Sequence, residues 1–168
     1  MKNILFLLAL TVLLFGCGHK KHADEYMKEA KLGIEQKKIP ETVKAYETLV
    51  SEFPNDSLAP EALYQLGTLY QNKMVPNFKE TESMEKAVNI FKSVFDKYPD
   101  SKQAQVSLFM AGFIQANDLK KYQDATITYN LFLQKYPKSD MAPAAKDEIN
   151  NMGLNPEQII TKKELSTK

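Results

Sequence analysis

Phe91-Lys92-Ser93-Val94-Phe95-Asp96-Lys97-Tyr98-Pro99-Asp100-Ser101 has a layout that the chain uses three times. An aromatic, a proline and a short polar cluster recur as Phe53-Pro54-Asn55-Asp56-Ser57 and as Tyr136-Pro137-Lys138-Ser139-Asp140. Eight residues before each proline stand Tyr46, Phe91 and Tyr129, and twelve before stand Thr42, Ala87 and Ala125. Those offsets place a small residue, a large aromatic and the pre-proline aromatic on one helical face. Proline disfavours helical geometry in the residue before it, so the aromatic closes one helix, and Asp56, Ser101 or Ser139 is placed to cap the next. A helix, a sharp stop and a restart, repeated, indicate an all-α chain. The expected fold is an α-solenoid of about three helical pairs with a C-terminal capping helix, each unit burying its apolar face on its neighbours.

Composition narrows the function. A chain of 168 residues holds one domain and one core, and 43% apolar with 26% charged residues is a folding composition. The net charge is +1 and all 22 basic residues are lysine. Arginine supplies the planar fork that reads phosphates and guanines, so its absence at neutral balance argues against nucleic acid as a partner. Cys17 is the only cysteine, which excludes an intramolecular disulfide.

The first residues read as an export signal: Lys2, an apolar run from Ile4 to Phe15, then Gly16-Cys17. That run is too short for a bilayer span of about 20 residues. Leu14-Phe15-Gly16-Cys17 resembles the bacterial lipoprotein box, with Phe15 as a departure from the small or branched residue usual there. The resemblance implies a signal peptide over residues 1–16, acylation of Cys17 and a lipidated tether over 17–23. Stable anchoring takes more than one acyl chain. His19 and His22 lie in that tether among Lys20 and Lys21, and no Asp, Glu or Cys nearby completes a metal shell that these lysines would not repel. No metal or other cofactor is expected.

Repeat positions over 24–152 divide into helices, from a first near Asp24 to Gln36 to a seventh from Ser139 to about Met152, with a frayed tail over 153–168. Gly67 stands 32 residues before Pro99, but Gly112 only 25 before Pro137, so the second unit holds seven additional residues, around Met74-Val75-Pro76-Asn77-Phe78 within 72–85. Such an insertion either projects from one edge of the stack toward a partner or is a tolerated surface loop. The fifth helix, Lys102 to Ala116, is apolar nearly all round and belongs in the middle of a stack.

Leu63, Leu66, Gly67 and Tyr70 followed by Ala87, Phe91 and Pro99, then Leu108, Ala111 and Gly112 followed by Ala125, Tyr129 and Pro137, resemble the tetratricopeptide repeat. A first unit matches weakly through Gly33, Tyr46 and Pro54. Gln115 replaces an expected tyrosine, and Leu49, Val94 and Phe132 stand where the pattern prefers alanine, which implies wider helix packing. With the lipobox, the pattern looks like that of bacterial envelope lipoproteins of the BamD and YbgF class. The resemblance implies a non-enzymatic scaffold, anchored in the outer membrane and facing the periplasm, that holds a protein partner in a concave groove. Alternatives are a Tol-Pal or cell-division coordinator and a small-ligand carrier. In such repeats the first helix of each pair lines the groove, which nominates Tyr64 with Thr68 and Phe109 with Phe113. Three of the four are aromatic, none is the lysine or asparagine of a carboxylate clamp, and together they suit an apolar or aromatic partner segment. The competing reading has Phe109 and Phe113 packing on the seventh helix.

Overall fold

The computed structural model describes residues 21–166, and every regular element in that span is helical. The helices are α1 (Ala23–Glu35), α2 (Ile39–Glu52), α3 (Ala59–Gln71), α4 (Glu80–Lys97), α5 (Lys102–Phe113), α6 (Tyr122–Lys135), α7 (Ala142–Asn151) and α8 (Pro156–Ser166). One π-helical turn, Ile114–Asp118, continues α5. They stack in chain order as α1/α2, α3/α4 and α5/α6, with α7 closing on α6.

The proline stops are three copies of one geometry. Phe53, Tyr98 and Tyr136 leave the helix at φ/ψ of −127/53, −132/55 and −127/56, out of the helical basin that a following proline forbids. Each then accepts on its carbonyl from the backbone N–H of Asp56, Ser101 or Ser139 at 3.0–3.1 Å. Ser101 caps α5 directly, its hydroxyl accepting from the N–H of Ala104 at 3.2 Å. Asp56 and Ser139 act earlier than expected: they accept from Leu58 and Met141, and the helices behind them begin at Ala59 and Ala142 with a proline in the first turn.

The turns inside each pair repeat as well. Lys37, Lys73 and Lys120 all take a left-handed conformation, with φ of 58°, 56° and 54°. In the first two, the next N–H reaches back to Gly33 or Leu69, satisfying a carbonyl that the helix end would otherwise orphan. A side chain in this basin costs about 1–2 kcal/mol, so three lysines there show how firmly the flanking helices impose the turn.

Repeat positions fill the core. Thr42, Ala87 and Ala125 are buried together with Tyr46, Phe91 and Tyr129, and so are Leu49, Val94 and Phe132. Gly67 and Gly112 let the paired helices close: a Cβ added there would stand 2.8 Å from the Phe91 ring and 2.9 Å from the Tyr129 ring. Gly33 does not play this part toward Tyr46, because its neighbour is the Thr42 side chain. One core cluster runs from α1 through α5 and a second joins α5, α6 and α7 around Leu108, Tyr129, Phe132 and Ala145. Tyr136 links neighbouring units, its hydroxyl donating to the carbonyl of Pro99 at 3.3 Å.

Several boundaries differ from the sequence reading. Ala23 is buried in α1, and the backbone N–H of His22 donates to the Glu25 carboxylate at 2.8 Å, so the helix claims residues assigned to the tether. The insertion is partly helix: α4 starts 19 residues before Pro99, whereas α2 and α6 start 15 before theirs, so four of the seven additional residues make a helical turn. The loop before it folds back, with Val75 buried and Phe78 edge-on to Tyr70 at 5.3 Å. Residues 156–166 form α8 instead of a frayed tail, because Asn155 and Gln158 exchange side chain to backbone bonds at 2.9 Å behind Pro156. Cys17, His19 and the leading residues 1–16 lie outside the described residues.

Candidate functional site

The helices of each pair face different ways. α3 approaches α5 directly, whereas α4 makes no comparable approach to α6. In these two units the first helices therefore crowd one side of the stack, the inner one, and the second helices splay on the outer one, leaving a cleft of about 400 Å³ between α4 and α6.

Tyr64, Thr68, Phe109 and Phe113 are all half-buried on first helices, but their surroundings differ. Tyr64 packs its ring against Phe91 of its own pair, with centroids 5.7 Å apart. Phe109 stands edge-on to Tyr129 at 5.5 Å and to Phe132 at 5.7 Å, so its support comes from α6 and not primarily from α7. Thr68 donates its hydroxyl to the carbonyl of Tyr64 at 3.1 Å, which occupies its donor within the helix. Phe113 stands outside both core clusters. It is thus the least committed of the three aromatics, one turn from Asn117, whose amide donates to the Phe113 carbonyl and to Glu148 of α7.

The outer cleft was not legible beforehand. Its floor is the π turn, where Gln115 is buried and its side-chain carbonyl accepts from the Thr128 hydroxyl at 2.7 Å. The one signal was Gln115 itself, standing where the repeat pattern expects tyrosine. π turns are single-turn irregularities that need a local reason, and here the backbone N–H of Lys121 reaches back to the carbonyl of Gln115 at 2.7 Å. Lys121 then pairs with Glu85 of α4 at 2.8 Å, bridging the cleft, and this ammonium is held above its ordinary pKa by that hydrogen bond.

Among the described residues two buried hydroxyls have no partner, Ser107 Oγ and Tyr129 OH. Burial pushes the Tyr129 phenol well above its ordinary pKa, with the Glu148 carboxylate adding to the shift. An unsatisfied buried hydroxyl costs about 1–3 kcal/mol, and the second unit carries Phe91 in the same place. Tyr129→Phe is therefore expected to raise the unfolding free energy by about 1 kcal/mol at neutral pH. The unfolded chain releases this proton near pH 10 and the folded chain holds it, so the parent loses stability above that pH. The variant loses less, and urea titrations at neutral and alkaline pH check both expectations.

Among the described residues no cluster of three or more His, Cys, Asp or Glu is arranged to hold a metal, and no helix is long and apolar enough to cross a membrane. No curated protein matches the chain. The family model described as Tetratricopeptide repeat matches residues 61–101 and 106–139, the spans of α3/α4 and α5/α6. That family is generally a non-enzymatic module for binding proteins. The two central helical pairs are thus similar to tetratricopeptide repeats, in keeping with the all-helical stack of an α-solenoid.

Proposed function

We propose that this protein is a lipid-anchored interaction scaffold of the bacterial envelope, held at Cys17 in the outer membrane, facing the periplasm and serving in outer-membrane protein assembly or as an envelope-complex adaptor. Its inner face grips an apolar or aromatic segment of a partner through Tyr64, Thr68, Phe109 and Phe113. The observation that carries the groove is Phe113, an aromatic half-buried on a first helix outside both core clusters. Tyr64 and Phe109 border it as aromatics held by Phe91 and Tyr129, so they present rigid edges to a ligand at little entropic cost. Thr68 contributes its methyl, its hydroxyl being engaged.

Crosslinking in intact cells with Cys17→Ser, Tyr64→Ala and Phe113→Ala tests both halves. Cys17→Ser is expected to leave the membrane fraction, and a variant processed normally yet still membrane-bound refutes the anchor. Phe113→Ala is expected to keep an unfolding free energy within about 1 kcal/mol of the parent, Tyr64→Ala to lose more with its ring contact to Phe91, and both to lose the crosslinked partner while remaining folded. Retention of the partner by both refutes the groove.

A further inference from the structure

The cleft of about 400 Å³ between α4 and α6 has a polar floor that the repeat does not call for. Gln115 lies three residues after Gly112, in the place that Tyr70 holds after Gly67. In the second unit the buried Tyr70 ring is covered by Phe78 of the insertion, edge-on at 5.3 Å. The third unit has neither the tyrosine nor the insertion, so its shorter glutamine leaves the space open.

Gln115 is only 6% exposed, and its side-chain carbonyl accepts from the buried Thr128 hydroxyl at 2.7 Å. Its amide N–H groups find no acceptor among the described residues, and the side chain lines the cleft, so these two donors face its interior. A buried donor without a partner costs free energy that a bound acceptor would recover. Apolar walls rise above this floor: Val88 of α4, Leu119 after the π turn and the exposed Ile127 of α6. The charges at the mouth balance. Glu85 and Lys121 bond to each other at 2.8 Å, while Lys92 of α4 and Asp124 of α6, one of each sign on opposite walls, form no ion pair among the described residues.

We propose that this cleft binds a free α-amino acid with an aliphatic side chain. Its carboxylate accepts from the Gln115 N–H groups and meets Lys92, its ammonium meets Asp124, and its side chain rests on Val88, Leu119 and Ile127. A zwitterion suits a cleft with no net charge, where a ligand of a single sign would leave one wall unmatched, and the volume falls in the range of small-molecule sites. The cleft opens between second helices, on the side away from Tyr64 and Phe113, so it stands independently of the inner groove.

Titration of L-leucine into the isotope-labelled full chain in nonionic detergent micelles, followed through the side-chain N–H signals of Gln115, tests this. Leucine is expected to bind in the millimolar range or tighter and to shift those signals, which are identified by their loss in Gln115→Met. Leucinamide, which lacks the carboxylate, and N-acetylleucine, which lacks the ammonium, should each bind about tenfold more weakly or worse. Lys92→Met and Asp124→Asn should weaken leucine to the same degree while unfolding at the parental midpoint, because both side chains are exposed, and Phe113→Ala should leave its affinity unchanged. No saturable shift of the Gln115 signals, equal affinity for leucine and its two derivatives, or full affinity in both charge variants would overturn the proposal.

Discussion

Phe91→Ala is expected to lower the unfolding free energy by about 3–5 kcal/mol, a large part of the roughly 5–15 kcal/mol that holds a domain of this size together. Phe91 is fully buried on α4, with its ring against Gly67 of α3 and beside Tyr64. Truncation removes the transfer energy of a ring, and the surrounding helices cannot collapse onto the space because Gly67 has no side chain to move into it. The cost should therefore fall toward the upper end of the range. It should also spread along the stack, since Phe91 belongs to the cluster that runs from α1 to α5. The urea midpoint measures this; a midpoint equal to the parent's would mean that the α3/α4 contact carries little of the stability.

Gly67→Ala is the complementary test. On an exposed helix this change gains about 1 kcal/mol of propensity. Here the added Cβ would lie 2.8, 3.0 and 3.2 Å from three atoms of the Phe91 ring, which is buried and cannot swing away. The overpacking cost of about 1–3 kcal/mol should exceed the gain and give a net loss. In a Phe91→Ala background the same methyl enters the cavity, so the sign should reverse and the double variant should be more stable than Phe91→Ala alone. The cycle measures a coupling of about 2 kcal/mol between these two positions. Additive losses would show that the glycine is not there for the ring. Gly112 and Tyr129 repeat the arrangement in the next unit and should behave the same way.

These expectations show where the sequence was informative. The prolines, the aromatics before them and the small residues twelve positions back recur in register, and the structure places each in the same geometry or the same buried layer. The groove residues were legible only in part. Helical spacing put Tyr64, Thr68, Phe109 and Phe113 on first helices, but an α5 apolar nearly all round offered no polar face to orient it. Which of its aromatics is spent on the core depended on α6, whose Tyr129 and Phe132 hold Phe109 and leave Phe113 aside.

By itself the sequence determined the first seven helices, their proline stops and the order of the stack, because a proline's steric effect and a helical repeat act within one or two turns of chain. The tertiary structure decided what depends on residues far apart. It alone lets three lysines hold left-handed turns, continues α5 into a π turn over a buried Gln115, and leaves Tyr129 OH without a partner. It also decided the partner of Glu85 on α4, which is Lys121, 36 residues away in the chain. Local sterics are written in neighbouring residues, whereas the commitment of a charge, a hydroxyl or a ring is settled only when distant helices pack.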